Sequence, residues 1–322
     1  MGNDHEWMSA AARLASRGRP LSSPNPSVGC IIVRDGITIA RGWTQASGRP
    51  HAEAHALAAL GKSGAKGATV YVTLEPCAHE SKRGPSCAEL LAAAGPARIV
   101  IGSSDPDPRT AGKGVALLRK AGIQAEILDH AGARESLAGY LTKQALGRPF
   151  VNLKLGMSLD GCIALADGSS QWITGEQARR HVHAQRARYD AILVGGGTWR
   201  KDKPRLNVRL PGLEERNPQR VLLTRGVAPE GVKIINDPQA IASLDGVQYL
   251  YVEGGGGAAA SFLASDLVDR LEIYRAPIVI GNGLQALGDI GLSQLDDAHG
   301  RWAKVEQCQL GSDQFTAYQR TR

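Results

Sequence analysis

One histidine, one glutamate and two cysteines in the first half of this 322-residue chain have the types and spacing of a hydrolytic zinc site. His51 and Glu53 stand two residues apart after a proline, Cys77 follows Glu-Pro, and Cys87 lies ten residues further on. One imidazole and two thiolates supply three ligands of a tetrahedral zinc ion and leave the fourth position for water. Zinc lowers the pKa of that water toward neutrality, and Glu53 then carries protons to the ring nitrogen and the leaving amine. This ordered pattern is the zinc deaminase signature and predicts a deaminase of a pyrimidine-type ring.

These four residues converge only if particular elements hold them. Residues two apart on a regular helix point about 200° away from each other, so His51 must lie at the entrance of the predicted helix 52–60, after Pro50. Cys77 then follows a strand at 69–74. Cys87 opens a helix at 87–94, where the helix dipole favours a thiolate.

Other metal ligands are conceivable in the same region. His51 and His55 have the spacing of zinc peptidases, but those enzymes need glutamate directly after the first histidine, and this chain has Ala52. We interpret His55 as a histidine of the helix surface or core, and His79 as a possible extra ligand. The remaining cysteines, Cys30, Cys162 and Cys308, lack partners at ligand spacing and are interpreted as structural.

Alternating strand and helix signals predict an α/β fold with two domains. The first half has further strands at 28–33, 37–42, 97–102 and 123–128, and further helices at 7–17, 113–121 and 131–146. The second half has strands at 150–156, 190–195, 219–224, 247–252 and 271–280, and helices at 175–188 and 257–265. Gly147-Arg148-Pro149 marks the boundary, so we expect a deaminase domain over 1–146 and a second domain over 147–322.

Composition restricts the class of partner. The net charge is +7 and the isoelectric point about 9.3, but the basic residues are dispersed and aromatic residues make up only 5%. This favours an anionic small substrate over nucleic acid. The sequence shows no long apolar run and no secretory signal, and five cysteines do not form a disulfide framework, so we expect no membrane partner and a cytoplasmic location.

The second half carries candidate phosphate-binding groups. Gly195-Gly196-Gly197-Thr198 follows one predicted strand, and Gly254–Gly257 follows another and opens a helix. Glycines let a backbone approach a phosphate, whose charge a helix N-terminus favours. Neither run is the Rossmann fingerprint. Arg186, Arg205 and Arg209 are candidates to hold a substrate phosphate.

Ordered motifs across both halves resemble the bifunctional riboflavin-biosynthesis deaminase/reductases of bacteria, from about residue 7 to 310. In the first half they are PNPSVGC at 24–30, HAE at 51–53, TLEPCAH at 73–79, GPSC at 84–87, DPDP at 105–108 and AGKGV at 111–115. In the second half they are KLGMSLDG at 154–161, SQWITG at 170–175, VGGGT at 194–198, PRLNVR at 204–209 and VEGG at 252–255.

The resemblance implies a cytidine-deaminase-like three-layer α/β/α domain followed by a dihydrofolate-reductase-like α/β domain. It implies zinc-dependent deamination of 2,5-diamino-6-ribosylamino-4(3H)-pyrimidinone 5′-phosphate, then reduction of the ribosyl group to ribityl with NADPH. We also expect a homo-oligomer, a dimer or larger. The implied substrate contacts are Asn25, Arg83, Asp105, Asp107, Lys154, Ser170, Arg186, Leu206, Arg209 and Glu253. The implied cofactor contacts are Gly156, Trp172, Thr198, Asp202, Gly255, Gly256, Gly257, Ala258, Ala259, Ala260 and Ser261.

The chain departs from the family pattern at several positions. Nine residues separate the two cysteines where eight are usual, Thr44 stands where histidine is frequent, and Asp107 replaces an asparagine. In the cofactor segment, only Asp202 remains of an acidic stretch, between Lys201 and Lys203.

Two other functions fit parts of the sequence. A nucleic-acid base deaminase would act on a flipped base, and would need a basic groove with aromatic stacking residues. Alternatively, the second domain could be a non-catalytic module. An NADPH titration would separate that hypothesis from the bifunctional enzyme.

Overall fold

The computed structural model describes residues 3–61, 64–79, 84–227 and 229–322. The chain divides into two compact units, Met1–Gly147 and Arg148–Arg322. Within the described ranges, no helix is both long and apolar enough to cross a membrane.

The first unit is built on a mixed sheet whose described strands are β1 (Gly29–Arg34), β2 (Ile37–Trp43), β3 (Thr69–Val72), β4 (Arg98–Ile101) and β5 (Gln124–Ile127). Their order is β2-β1-β3-β4-β5. The pairs of β1 with β2 and β3 are antiparallel, and β3, β4 and β5 are parallel. β1 and β2 form a hairpin, and Asp35 and Gly36 at its turn both have positive φ, at 53° and 73°, as a tight hairpin turn requires.

Helices cover both faces of this sheet. They are α1 (Asp4–Ala15), α2 (Ala52–Leu60), α3 (Cys87–Ala94), α4 (Lys113–Lys120), α5 (Ala131–Ser136) and α6 (Ala138–Leu146). Alternate residues of each strand face opposite sides. Ile31 and Val100 therefore pack with α1 and α5, whereas Ile32 and Ile99 join the core with α2, α3 and α4. The result is the predicted three-layer α/β/α domain. The single helix expected over 131–146 is interrupted at Leu137, which is buried in the core.

The second unit contains a larger sheet with described strands β6 (Phe150–Met157), β8 (Ala191–Gly195), β9 (Gln219–Leu223), β10 (Lys233–Ile235), β11 (Tyr249–Val252), β12 (Arg270–Arg275), β14 (Trp302–Leu310) and β15 (Asp313–Arg320). Their order is β10-β9-β8-β11-β6-β12-β15-β14, parallel from β10 to β12 and antiparallel beyond. β7 (Cys162–Leu165) and β13 (Gly283–Gln285) form a separate pair. The helices are α7 (Glu176–Arg186), α8 (Gly196–Asp202) and α9 (Gly256–Ala264).

The larger sheet has two different faces. Val151, Leu153 and Leu155 of β6 lie in an apolar core that includes Phe262 of α9. The intervening residues of β6 face the other side, where His181 of α7 contacts the rings of the neighbouring strands β12 and β15. Lys154 of β6 and Glu272 of β12 lie on this α7 side.

The second unit differs from the prediction in one strand that ends early and in two strands that were not predicted. The strand expected over 271–280 ends at Arg275, and the sequence analysis predicted neither β14 nor β15. β14 is exposed on both faces over most of its length, so it lacks the apolar alternation by which a half-buried strand is recognised.

Candidate active sites

The first unit brings together the three predicted zinc ligands. His51 is the extended N-cap of α2, with φ −66° and ψ 164°, so it lies outside the helical geometry and can point the same way as Glu53 in the first turn. Its Nδ1 is 3.6 Å from Cys77 Sγ and 3.3 Å from Cys87 Sγ, and the three ligand atoms lie within 4.8 Å of one another. Tetrahedral zinc, with bonds of about 2.3 Å to sulfur and about 2.0 Å to nitrogen, separates such atoms by about 3.5 Å. The donor set therefore fits zinc.

The loop after β3 and the start of α3 hold the two thiols. Ser86 caps α3, and the first helical residue, Cys87, donates its backbone N–H to Cys77 Sγ at 3.4 Å. The pKa of Cys77 falls to about 4, first because the Cys87 thiol donates to it and also because His51 hydrogen-bonds to it. A thiolate, the form that binds metal, is thus stabilised before any cation is considered.

Glu53 lies beside these ligands and is only 4% exposed. Burial raises its pKa to about 7, and the negative charge of Cys77 adds to the rise. Zinc bound at the neighbouring ligands would lower this pKa again. A buried carboxyl group whose pKa can be moved through neutrality is suited to carrying protons.

Two histidines weighed as ligands lie outside this group of described residues. His55 Nδ1 is 3.0 Å from Gln45 Nε2 and accepts from the Trp43 backbone N–H at 3.4 Å. Its ring packs edge-on against Trp43, with centroids 5.0 Å apart. These contacts agree with a packing role for His55, and His79 is likewise absent from the group.

The predicted substrate contacts of this unit occupy different surroundings. Asn25 Nδ2 is 3.4 Å from His51 Nε2 and donates to Gly48 O at 3.1 Å, so Asn25 borders the metal ligands. Asp105 accepts from the Tyr140 hydroxyl at 2.7 Å. Asp107 pairs with Arg109 of its own loop, which lowers the pKa of Asp107. Asp107 is therefore an anion paired within its own loop.

Arg83 lies outside the described residues.

Sequence reasoning missed the role of Glu75, which precedes Pro76 and Cys77. Its carboxylate, only 3% exposed, accepts the backbone N–H groups of Gly112 at 3.1 Å, Val115 at 3.2 Å and Asp105 at 3.4 Å. Gly112 is the N-cap of α4, so Glu75 caps a helix distant in sequence. The start of α4 also packs closely on this segment, since a Cβ on Gly114 would lie 2.2 Å from Pro76 O.

The second unit gathers three predicted substrate residues on the α7 side of its sheet. Arg186 Nε and Nη2 donate to Glu253 Oε1 and Oε2 at 2.6 and 2.9 Å, and these side chains are 12% and 10% exposed. Lys154 is close to this pair: burial lowers its pKa, the charge of Glu253 opposes the fall, and Arg186 adds to it. A lysine and a paired arginine under partial burial suit an anionic substrate.

The glycine-rich run after β11 does open a helix. Gly255 is the N-cap of α9 and donates its N–H to Thr198 Oγ1 at 3.3 Å. A Cβ on Gly256 would lie 2.9 Å from Gln285 O, so packing requires that glycine, whereas Gly257 faces open space. Among the other predicted cofactor contacts, Ala259 and Ala260 are buried, and the Ser261 hydroxyl donates to Ala258 O. The start of α9 therefore offers a cofactor mainly backbone groups.

The remaining predicted contacts are spread over loops of the second unit. Trp172 is 65% exposed, with the Arg179 guanidinium 4.7 Å from its ring centroid. Leu206 is buried with a φ of 54°, a left-handed conformation that is costly for this side chain. Arg209 and Asp202 are exposed. Ser170 and Gly156 are half-buried, and Gly156 lies beneath the Lys154 amine.

A cavity of about 430 Å³ beyond β9 was not predicted. Thr224, Arg225, Asn236 and Ser243 contribute polar groups to its wall. It adjoins the start of α8, because a Cβ on Gly196 would lie 2.9 Å from Thr224 Oγ1. A cation among hydroxyl and amide groups gives this cavity the chemistry of a phosphate site.

Comparisons with known proteins match both units of the chain. The model of the cytidine and deoxycytidylate deaminase zinc-binding region matches residues 1–103, and that of the RibD C-terminal domain matches residues 149–314. Riboflavin biosynthesis protein RibD of Escherichia coli is 38% identical, with 92% of this chain and 94% of that protein covered. RibD of Corynebacterium ammoniagenes is 41% identical over 84% of each chain.

Solved structures give the same result over the full length. Acinetobacter baumannii RibD matches with a TM-score of 0.86 and 35% identity, covering 99% of both chains. A Thermotoga maritima protein described as a diaminohydroxyphosphoribosylaminopyrimidine deaminase/5-amino-6-(5-phosphoribosylamino)uracil reductase matches with a TM-score of 0.85 and 29% identity, again over 99% of both.

Proposed function

The chain belongs to the RibD family of riboflavin biosynthesis proteins, and we propose that its two units perform consecutive steps on one phosphorylated pyrimidine. The protein is a zinc-dependent deaminase and an NADPH-dependent reductase. Residues 1–146 deaminate 2,5-diamino-6-ribosylamino-4(3H)-pyrimidinone 5′-phosphate. Residues 147–322 then reduce the ribosyl group of the product to ribityl.

One observation carries the deaminase proposal: His51 Nδ1 lies 3.3 and 3.6 Å from two thiol sulfurs beside a buried glutamate. His51, Cys77 and Cys87 would hold zinc, which would lower the pKa of water enough to supply hydroxide at neutral pH. Glu53 would accept the proton released by water and donate protons to the ring nitrogen and the departing amine, so that ammonia would leave as oxygen is added. The low exposure of Glu53 keeps these transfers away from bulk solvent.

The reductase proposal rests on groups at the carboxyl ends of the parallel strands. NADPH bound in this unit would supply a hydride to the ribosyl C1′, and a group of the protein would supply the proton for the ring oxygen released from C1′. Lys154, Arg186 and Glu253 form the polar wall nearest this chemistry, and the first turn of α9 presents backbone N–H groups suited to a cofactor phosphate.

We assign the cavity beyond β9 to the 2′-phosphate that distinguishes NADPH from NADH. Its support is the Arg225 guanidinium among the polar groups of Thr224, Asn236 and Ser243. Arg225→Ala should raise KM for NADPH at least tenfold, since hydrogen bonds to charged groups contribute about 1.5–3 kcal/mol, and should leave KM for NADH unchanged. An equal rise for both cofactors would reject this assignment.

The direct test incubates the diaminopyrimidine substrate with the full chain, with and without NADPH, and identifies the products by mass. Without NADPH we expect a product in which one amino group has been replaced by a carbonyl oxygen, a net exchange of NH for O in the mass. With NADPH we expect two further hydrogens. Deamination alone in both reactions would leave the second unit as a non-catalytic module, and no reaction in either would overturn both assignments.

The proposal also covers the location of the enzyme, its binding partners and its oligomeric state. We propose a cytoplasmic enzyme that binds neither nucleic acid nor membrane, since its charge is dispersed and its composition is poor in aromatic residues. We also propose a homo-oligomer, because Val279 and Leu295 are 72% and 77% exposed and β14 is an exposed edge strand. Light scattering on the purified chain tests the oligomer: a monomeric mass at micromolar concentration would reject it.

A further inference from the structure

A single lysine lies between two glutamates on neighbouring strands of the second unit. β6 has β11 on one side and β12 on the other, both parallel to it. Lys154 of β6 is paired with Glu272 of β12. On the other side Leu153 is paired with Val252, so Glu253, the next residue, adjoins Lys154. Paired residues of parallel strands project from the same face, so all three side chains lie on the α7 side.

The two glutamates differ in how their charge is used. Glu253 receives a bidentate pair of hydrogen bonds from Arg186, at 2.6 and 2.9 Å. This arginine takes up much of the charge that Glu253 could offer to Lys154. The lysine therefore needs a further counter-charge if it is to stay protonated under partial burial.

Glu272 is placed to supply that charge. It is 1% exposed, with the Tyr251 hydroxyl donating to Oε2 at 3.0 Å and Arg270 Nε donating to Oε1 at 3.3 Å. Burial outweighs the other influences and raises the pKa of Glu272, while the charge of Arg270 and the Tyr251 hydrogen bond reduce the size of that rise. Donors on both oxygens favour the carboxylate form in spite of the burial.

The lysine amine is directed to the end of β6. Lys154 Nζ lies 6.0 Å from the centroid of the Tyr274 ring and 3.4 Å from the position of a Cβ on Gly156. The charged and titratable groups around it are therefore Glu253 directly after β11, Glu272 and Tyr274 on β12, and Arg186 on α7. The ammonium form could donate to the ring oxygen released during reduction.

We propose that Glu272 is a positioning residue of the reductase site, whose carboxylate holds Lys154 in its ammonium form above Gly156. The inference rests on the proposed reductase function. Glu272, a buried acid on β12, would then take part in the reaction without contacting the substrate. It would act through Lys154 and so affect the pH range in which reduction proceeds.

The test uses Glu272→Gln in the full chain, with Glu306→Gln as the matched control. Glu306 also binds Arg270, at 2.7 Å, but is 49% exposed at the edge strand β14. Competitive acetylation across a pH series, read by mass spectrometry at Lys154, measures the protonation of the amine directly. Removing a neighbouring anion makes an ammonium less favourable, so the midpoint should fall by about one pH unit in Glu272→Gln and stay at the wild-type value in Glu306→Gln.

Reductase pH profiles on pre-deaminated substrate supply the functional readout. If the ammonium form is the active one, the alkaline limb of kcat should move to lower pH by the same amount as the acetylation midpoint, with KM for NADPH unchanged. An unchanged midpoint in a folded Glu272→Gln protein would overturn the inference. A shifted midpoint with an unshifted profile would overturn the positioning role.

If Glu272→Gln fails to fold, Tyr251→Phe decides the matter. That variant removes the donor at 3.0 Å and should shift the midpoint in the same direction by a smaller amount, and no shift would overturn the inference. Acetylation requires no turnover, so these outcomes are separate from the proposed function. That function fails if wild-type protein oxidises no NADPH at any pH.

Discussion

Replacing Glu75 by glutamine should destabilise the first unit and loosen its metal site. The carboxylate is 3% exposed and accepts three backbone N–H groups, two of them at the start of α4. Glutamine keeps one acceptor oxygen but turns an NH₂ group toward backbone donors. Hydrogen bonds to a charged group contribute about 1.5–3 kcal/mol, and a carboxylate at a helix N-terminus adds about 0.3–1 kcal/mol. We expect the free energy of unfolding to fall by about 2–4 kcal/mol.

Calorimetry can measure this loss as a shift in the transition of the first unit. For a unit of this size, about 3 °C per kcal/mol corresponds to a midpoint lower by about 6–12 °C. Cys77 lies two residues from Glu75, so zinc should also pass to a chelator faster. Glu6→Gln is the control, because Glu6 accepts the Asn3 N–H in an exposed cap of α1, far in sequence from the ligands. If Glu75→Gln lowers the midpoint no more than Glu6→Gln does, the reasoning from burial and donors is refuted.

Four further variants test the two sites and the core. Cys87→Ser should lose zinc by metal analysis, and full retention would reject that ligand. Glu53→Gln should keep zinc and lose about 10²–10⁴-fold in deamination rate; loss of the metal would contradict a proton-carrying role. Gly255→Asp should weaken NADPH binding by fluorescence titration while deamination continues, since it places a carboxylate at the N-terminus of α9. Asp269→Asn should cost the second unit about 3–5 kcal/mol in chemical denaturation, because Asp269 is 3% exposed and pairs bidentately with buried Arg148; a midpoint equal to wild type would contradict this.

The zinc ligands could be predicted because local signals place each of them. Pro50 sets His51 at a helix entrance, Cys77 follows a strand, and Ser86 caps the helix that Cys87 opens. Each of these positions is fixed by residues within a few places in the chain. The convergence of the three ligand atoms was expected from the zinc deaminase signature, and in the structure these atoms lie within 4.8 Å of one another.

The contacts that the sequence did not reveal depend on strand order. Lys154 is paired with Glu272 because β12 lies beside β6, although the two residues are far apart in sequence and β7 to β11 intervene along the chain. Glu75 caps α4 across a similar separation. One sequence shows which residues are acidic, but pairing across a sheet is decided by topology and register, which periodicity does not specify.

The surroundings of each buried glutamate indicate what it can do. Glu75 is held by three backbone donors, so its charge is committed to structure and its transfer of a proton would break those bonds. Glu272 has donors on both oxygens and an ammonium neighbour across the strand, which suits a fixed counter-charge. For Glu53, burial raises the pKa to about 7 and zinc at the neighbouring ligands would lower it again, so this carboxyl group can change its protonation state near neutral pH. The same side chain thus serves as a cap, a counter-ion or a proton carrier, according to the donors and charges around it.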